Sequence, residues 1–110
     1  MADTRSGPNK EAWIGLAHVR PKPGTNNLEG ALGAFVPVLV LADCAEGFAA
    51  AAATCLDSYG FDVIEIEDIE LFADRVRTQT VHEDIRKLAA SLSPQQPVAV
   101  DTFQAYEDEQ

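Results

Sequence analysis

The sequence predicts an α+β fold in which two helices pack on one face of a four- or five-stranded mixed sheet. Three observations carry that expectation. Ala34 to Ala42 is a run of nine apolar residues with Val36, Val38 and Val40 alternating against Phe35, Leu39 and Leu41, as in a strand covered on both faces. Phe48, Ala52, Cys55, Leu56 and Tyr59 recur at the spacing of one helical stripe. A second stripe, Val81, Ile85, Leu88, Ala89 and Leu92, follows the capping-box pattern Thr80-Val81-His82-Glu83.

Taken in order, residues 1–11 are rich in polar residues, glycine and proline and are expected to form a loose tail. Ala12 to Arg20 is a short apolar run closed by Pro21, Pro23 and Gly24, which reads as a strand. Alternation puts Trp13, Gly15, Ala17 and Val19 on one of its faces and Ile14, Leu16 and His18 on the other. Pro21 to Gly33 is a turn-rich connection, long enough to be a candidate functional loop. Ala34 to Ala42 is the strongest strand, although Pro37 lacks a ladder donor and so demands an edge or a bulge.

Asp43, followed three residues later by Glu46, is the expected N-cap of the first helix, and Gly60 supplies its stop. Phe61 to Glu67 is the next strand, and the sequence from 34 to 67 therefore reads as a β-α-β unit. Asp68 to Gln79 fits an extension of that strand, an antiparallel return or an irregular turn. The second helix runs from Val81 to the stop at Pro94, and Pro97 to Ala105 closes the domain as a strand. The domain is thus expected over residues 12–106, with 107–110 as an acidic tail. If Asp68 to Gln79 contributes a strand, residues 34 to 105 complete a β-α-β-β-α-β order behind one extra N-terminal strand, which resembles the ferredoxin-like topology. That architecture hosts many unrelated activities, so it implies no function.

At 110 residues the chain buries enough surface for one core but not two. With 46% hydrophobic and 24% charged residues it is neither disordered nor multidomain. No apolar run approaches a membrane span, and the polar start has no signal-like stretch, so a cytoplasmic location is expected. Eighteen acidic against eight basic side chains give a net charge of −10, and residues 24–74 contain ten acids with no Lys or Arg. Such a chain repels nucleic acid and anionic lipid. It remains compatible with a basic protein partner.

Cys44 and Cys55 are too far apart on one helix, about 16 Å along its axis, to form a disulfide. Their spacing matches no redox pair or zinc knuckle. His18 and His82 form no ligand pattern, and neither Ser58 nor Ser91 belongs to a nucleophile motif. Neither metal nor cofactor is expected, and enzymatic activity is not.

Two features remain. Two helices on one face would leave the other face apolar, with Trp13, His18, Phe35, Leu39, Leu41 and Phe103 as its candidate residues, and a large open patch of that kind marks an interaction site. The simplest occupant is a second copy, making a homo-oligomer. The acids Glu65, Glu67, Asp68 and Glu70 form the second feature, a solvated edge suited to a cationic partner, as inhibitor and immunity proteins use acidic surfaces. The expected function is accordingly that of a small acidic interaction module. The alternative is a small-molecule-binding regulatory domain whose pocket lies between the sheet and the 21–33 loop, lined by Trp13, His18, Phe35 and Tyr106. An enzyme pairing Glu65 and Glu67 with His18 is the weakest reading.

Overall fold

The computed structural model describes residues 10–24 and 31–106. Its element order is β1 (Glu11–Pro21), β2 (Gly33–Ala42), α1 (Ala45–Ser58), β3 (Phe61–Leu71), α2 (Phe72–Thr78), α3 (Glu83–Ser91), β4 (Val98–Val100) and β5 (Gln104–Tyr106). Residues 1–9 of the predicted 1–11 tail, the predicted tail at 107–110 and positions 25–30 of the long connection lie outside the described residues, and Glu11, expected in the first tail, begins β1. The fold is α+β, with a five-stranded sheet.

Every strand pairing is antiparallel, which corrects the mixed sheet that the sequence predicts. The reason is the place of β1. It lies between β3 and β2 in the order β3-β1-β2-β4, with β5 also on β2, so the two strands joined by α1 run in the same direction but are one strand apart. Asp68 to Leu71 continues β3, and Phe72 then begins α2, so no second strand stands between β3 and α3. The β-α-β-β-α-β order is therefore left incomplete.

The helices do not share a face, a second correction. Alternate residues of β1 and β2, Ala17, Val19, Val36, Val38 and Val40, pack with Phe48, Ala52 and Leu56 of α1. The residues of opposite parity, Ile14 and Leu39, pack instead with Ile85 of α3, flanked by Phe72, Val81, Leu88, Ala89 and Leu92. A central strand that is apolar on both sides requires cover on both sides, and the α1 stripe can reach only one. The α3 stripe is used as predicted, but against the other layer.

Local chemistry explains the remaining elements. Two register shifts in the β1/β3 ladder, between Ile14 and Leu16 and between His18 and Val19, each insert one residue into β3. They bring Val63, Ile66 and Ile69, spaced by three, onto the α1 side, where strict alternation would have split them. Asp68 takes the left-handed conformation, φ 58°, at one of these shifts. The expected strand over 97–105 is broken into β4 and β5, and the break falls opposite Pro37. Asp101 N–H still donates to the Pro37 carbonyl at 2.9 Å, so the missing proline donor faces a gap in the ladder and no bond is lost.

The helix starts differ from expectation by one or two residues. Cys44, not Asp43, caps α1, its Sγ accepting from Gly47 N–H at 3.4 Å. His82, not Thr80, caps α3, its Nδ1 accepting from Asp84 N–H at 3.1 Å. The α1 stop at Gly60 is as read: it adopts φ 91°, and its N–H bonds to the Asp57 carbonyl. Gly15 is required for close approach, since a Cβ there would stand 2.8 Å from the Phe48 ring.

The two thiols are free, Cys44 exposed and Cys55 half-buried, with burial pushing the Cys55 thiol up from its ordinary value. Because the thiolate is the reactive form, Ellman's reagent at mildly alkaline pH is expected to modify Cys44 rapidly and Cys55 at least about tenfold more slowly. Cys44→Ala should remove the fast phase. Equal rates at the two sites would mean that α1 is not seated on the sheet as described.

Candidate functional site

β3 is an edge strand, hydrogen-bonded only to β1 among the described residues. Its ladder opposes Asp62 to Arg20, Glu65 to His18, Glu67 to Leu16 and Glu70 to Ile14. Cross-strand partners share a face, so Glu65, Glu67 and Glu70 lie on the α3 side of the sheet, while at the strand's end the Asp62 carboxylate meets Lys22 beside Asp57 of α1. Plain alternation predicts this for Glu65 and Glu67. Glu70 joins them because the shift at Asp68 restores its phase.

The strand's two ends are neutralised from within the chain. Lys22 Nζ lies 2.7 Å from Asp57 and 2.8 Å from Asp62. Hydrogen bonds that it donates, first to Asp57 and then to Asp62, hold its ammonium well above the usual lysine range. A raised lysine value stabilises the fold below the ordinary lysine pKa and loses that effect only as pH rises through the folded value, so this pair adds no pH dependence near neutrality. At the other end, Arg75 of α2 binds the Glu70 carboxylate through Nε and donates Nη2–H to the Asp68 carbonyl at 3.2 Å. Glu65 and Glu67, both exposed, have no cationic partner among the described residues. Between the neutralised ends, Ile64 is 45% exposed.

Away from β3, the second face carries an aromatic cluster. His18 stacks on Phe35 with ring centroids 4.4 Å apart, and its Nε2 shares a 2.6 Å hydrogen bond with the Tyr106 hydroxyl. Tyr106 lies across Gly33, where an added Cβ would stand 2.5 Å from the hydroxyl oxygen and 2.8 Å from the Val19 carbonyl. The cluster ties β5 to β1 and β2 and presents no activated nucleophile. Gly33→Ala is expected to cost about 1–3 kcal/mol by displacing the Tyr106 ring, and Tyr106→Phe about 1 kcal/mol, both read from urea unfolding. A neutral Gly33→Ala would show that the ring does not rest there.

The residues expected to form one open apolar face are divided. Trp13 lies on the α1 side, its indole N–H donating to the Ala42 carbonyl at 3.0 Å, and Phe103 stacks on Phe61 there with centroids 4.9 Å apart. Leu39 is completely buried in the α3 cluster. Phe35, His18 and Leu41 are half-buried. Trp13 is therefore separated by the sheet from His18, Phe35 and Tyr106, and the four do not line one pocket. Two shallow clefts border β3 instead. One, of about 350 Å³, lies at Asp68, Ile69, Glu70, Arg75 and Gln79, and the other, of about 400 Å³, at Ala53, Thr54, Asp57, Phe61, Asp62 and Val63.

Sequence reasoning missed the cations that neutralise the ends of β3 and the bond between His18 and Tyr106. The one available signal was Arg75 as the first basic residue after ten acids. Among the described residues no group of three or more His, Cys, Asp or Glu is placed to hold a metal ion, and no helix is long and apolar enough to cross a membrane. No family model, curated protein or solved structure matches the chain.

Proposed function

We propose that this chain is a non-enzymatic interaction module that recognises a basic protein through the carboxylates of β3. One observation carries the reading: Glu65 and Glu67 stand exposed and, among the described residues, without a cation at the centre of an edge strand whose end carboxylates, Asp62 and Glu70, are already paired. Unneutralised charge on a rigid element favours a partner of opposite charge and speeds its association. The self-association expected through an open sheet face has less support, because α3 covers Leu39 and leaves only half-buried Leu16, Phe35, Pro37 and Leu41 on that side. Basic proteins act in many compartments, and the cytoplasmic setting is part of the proposal.

Titration calorimetry with an oligolysine peptide tests it. Glu65→Gln with Glu67→Gln is expected to weaken binding about fivefold or more, and raised salt to abolish the difference. Glu83→Gln with Asp84→Asn removes the same formal charge from α3 and should weaken binding much less. Equal losses in the two variants would show a diffuse effect of net charge and end the proposal.

A further inference from the structure

We infer that the partner binds β3 by strand addition, as an extended segment carrying Lys or Arg at positions i and i+2; this rests on the reading of β3 as the recognition surface. Four features converge on that occupant. Among the described residues the outer side of β3 faces no other strand, so its backbone N–H and C=O groups form an open template. Glu65 and Glu67 lie two residues apart on one face, about 7 Å, which is the spacing of i and i+2 side chains on a strand laid alongside. Ile64, 45% exposed between Asp62 and Glu65, gives the added strand apolar surface to cover. The chain also demonstrates the chemistry in cis, since Arg75 satisfies an outer carbonyl, that of Asp68, and a β3 carboxylate, that of Glu70.

The same features exclude a second copy as the occupant. Pairing two β3 strands would set rows of carboxylates against one another, and like charges directly opposite are destabilising. Arg75 closes the edge at Asp68, so the free stretch runs from Val63 to Glu67, with the inserted residue Ile64 within it and regular alternation from Glu65 to Glu67. It is short. A five- to seven-residue segment of alternating basic and β-branched residues fits it.

The test uses two synthetic heptapeptides of identical sequence, Thr-Val-Lys-Val-Lys-Val-Thr. One is unmodified, and the other is N-methylated at alternate amides so that it keeps its charge but cannot extend the ladder. The unmodified peptide is expected to slow hydrogen exchange of β3 amides between Val63 and Glu67 and to bind about tenfold or more tightly than its methylated twin. Equal affinity of the two, with both lost on Glu65→Gln with Glu67→Gln, would overturn strand addition while leaving charge recognition by β3 standing. Binding of neither peptide at low salt would overturn both.

Discussion

Phe48→Ala is expected to destabilise the fold by about 3–5 kcal/mol, a large part of the ~5–15 kcal/mol that holds a domain of this size together. Phe48 is completely buried and is the largest of the fully buried side chains. Its ring and Ile66 fill the space above Gly15, which has no side chain of its own to collapse into the void. The cavity term should therefore be near its maximum. Urea unfolding followed by far-ultraviolet circular dichroism measures the loss, and a loss below about 1 kcal/mol would show that α1 is not seated through Phe48.

Ile85→Ala should cost about 2–4 kcal/mol, with a different signature. Ile85 is the one buried residue of α3, and it meets Ile14 and Leu39 across the second face. A nine-residue helix has little stability in isolation, so weakening that contact should release α3 as a unit and expose Leu39. A rise in dye binding to exposed apolar surface, with part of the helical signal lost before the sheet unfolds, is the expected result. The two clusters lie on opposite sides of the sheet, so Phe48→Ala and Ile85→Ala should add to within about 0.5 kcal/mol. Strong coupling would mean that the two cores are one.

Much of this fold was legible in the sequence because its strands and helices are locally consistent. The alternation of β1, the apolar run of β2, the α1 stripe through Phe48, Ala52 and Leu56 with its Gly60 stop, and the α3 stripe all recur in the structure, whereas Tyr59, expected on the α1 stripe, caps the helix and is exposed. What pattern does not encode is which side of the sheet a stripe will meet. Val81, Ile85, Leu88 and Leu92 would read the same against either face, and only the prior occupation of one face by Phe48, Ala52 and Leu56 decides it. The period of β3 was hidden for a related reason: two inserted residues turn a spacing of three, Val63, Ile66, Ile69, into a single half-buried row against the α1 core.

The acidic edge was legible as composition and not as geometry. Glu70 joins the face of Glu65 and Glu67 only through the left-handed turn at Asp68, and Asp62 and Glu70 are silenced by Lys22 and Arg75, forty and five residues away in the chain. The surface expected to be sticky met the opposite fate. Trp13 and Phe103 were absorbed by the α1 core and Leu39 by α3, which moves the weight of the functional reading from the sheet's face to its rim.

Mapping amide chemical shifts of the isotope-labelled chain during a titration with oligolysine tests that shift most directly. The account predicts that the largest changes fall at Ile64 to Glu67, with small ones at α3 and at the cluster of His18, Phe35 and Tyr106. Changes spread evenly over the acidic surface, or greatest at α3 or the aromatic cluster, would contradict it.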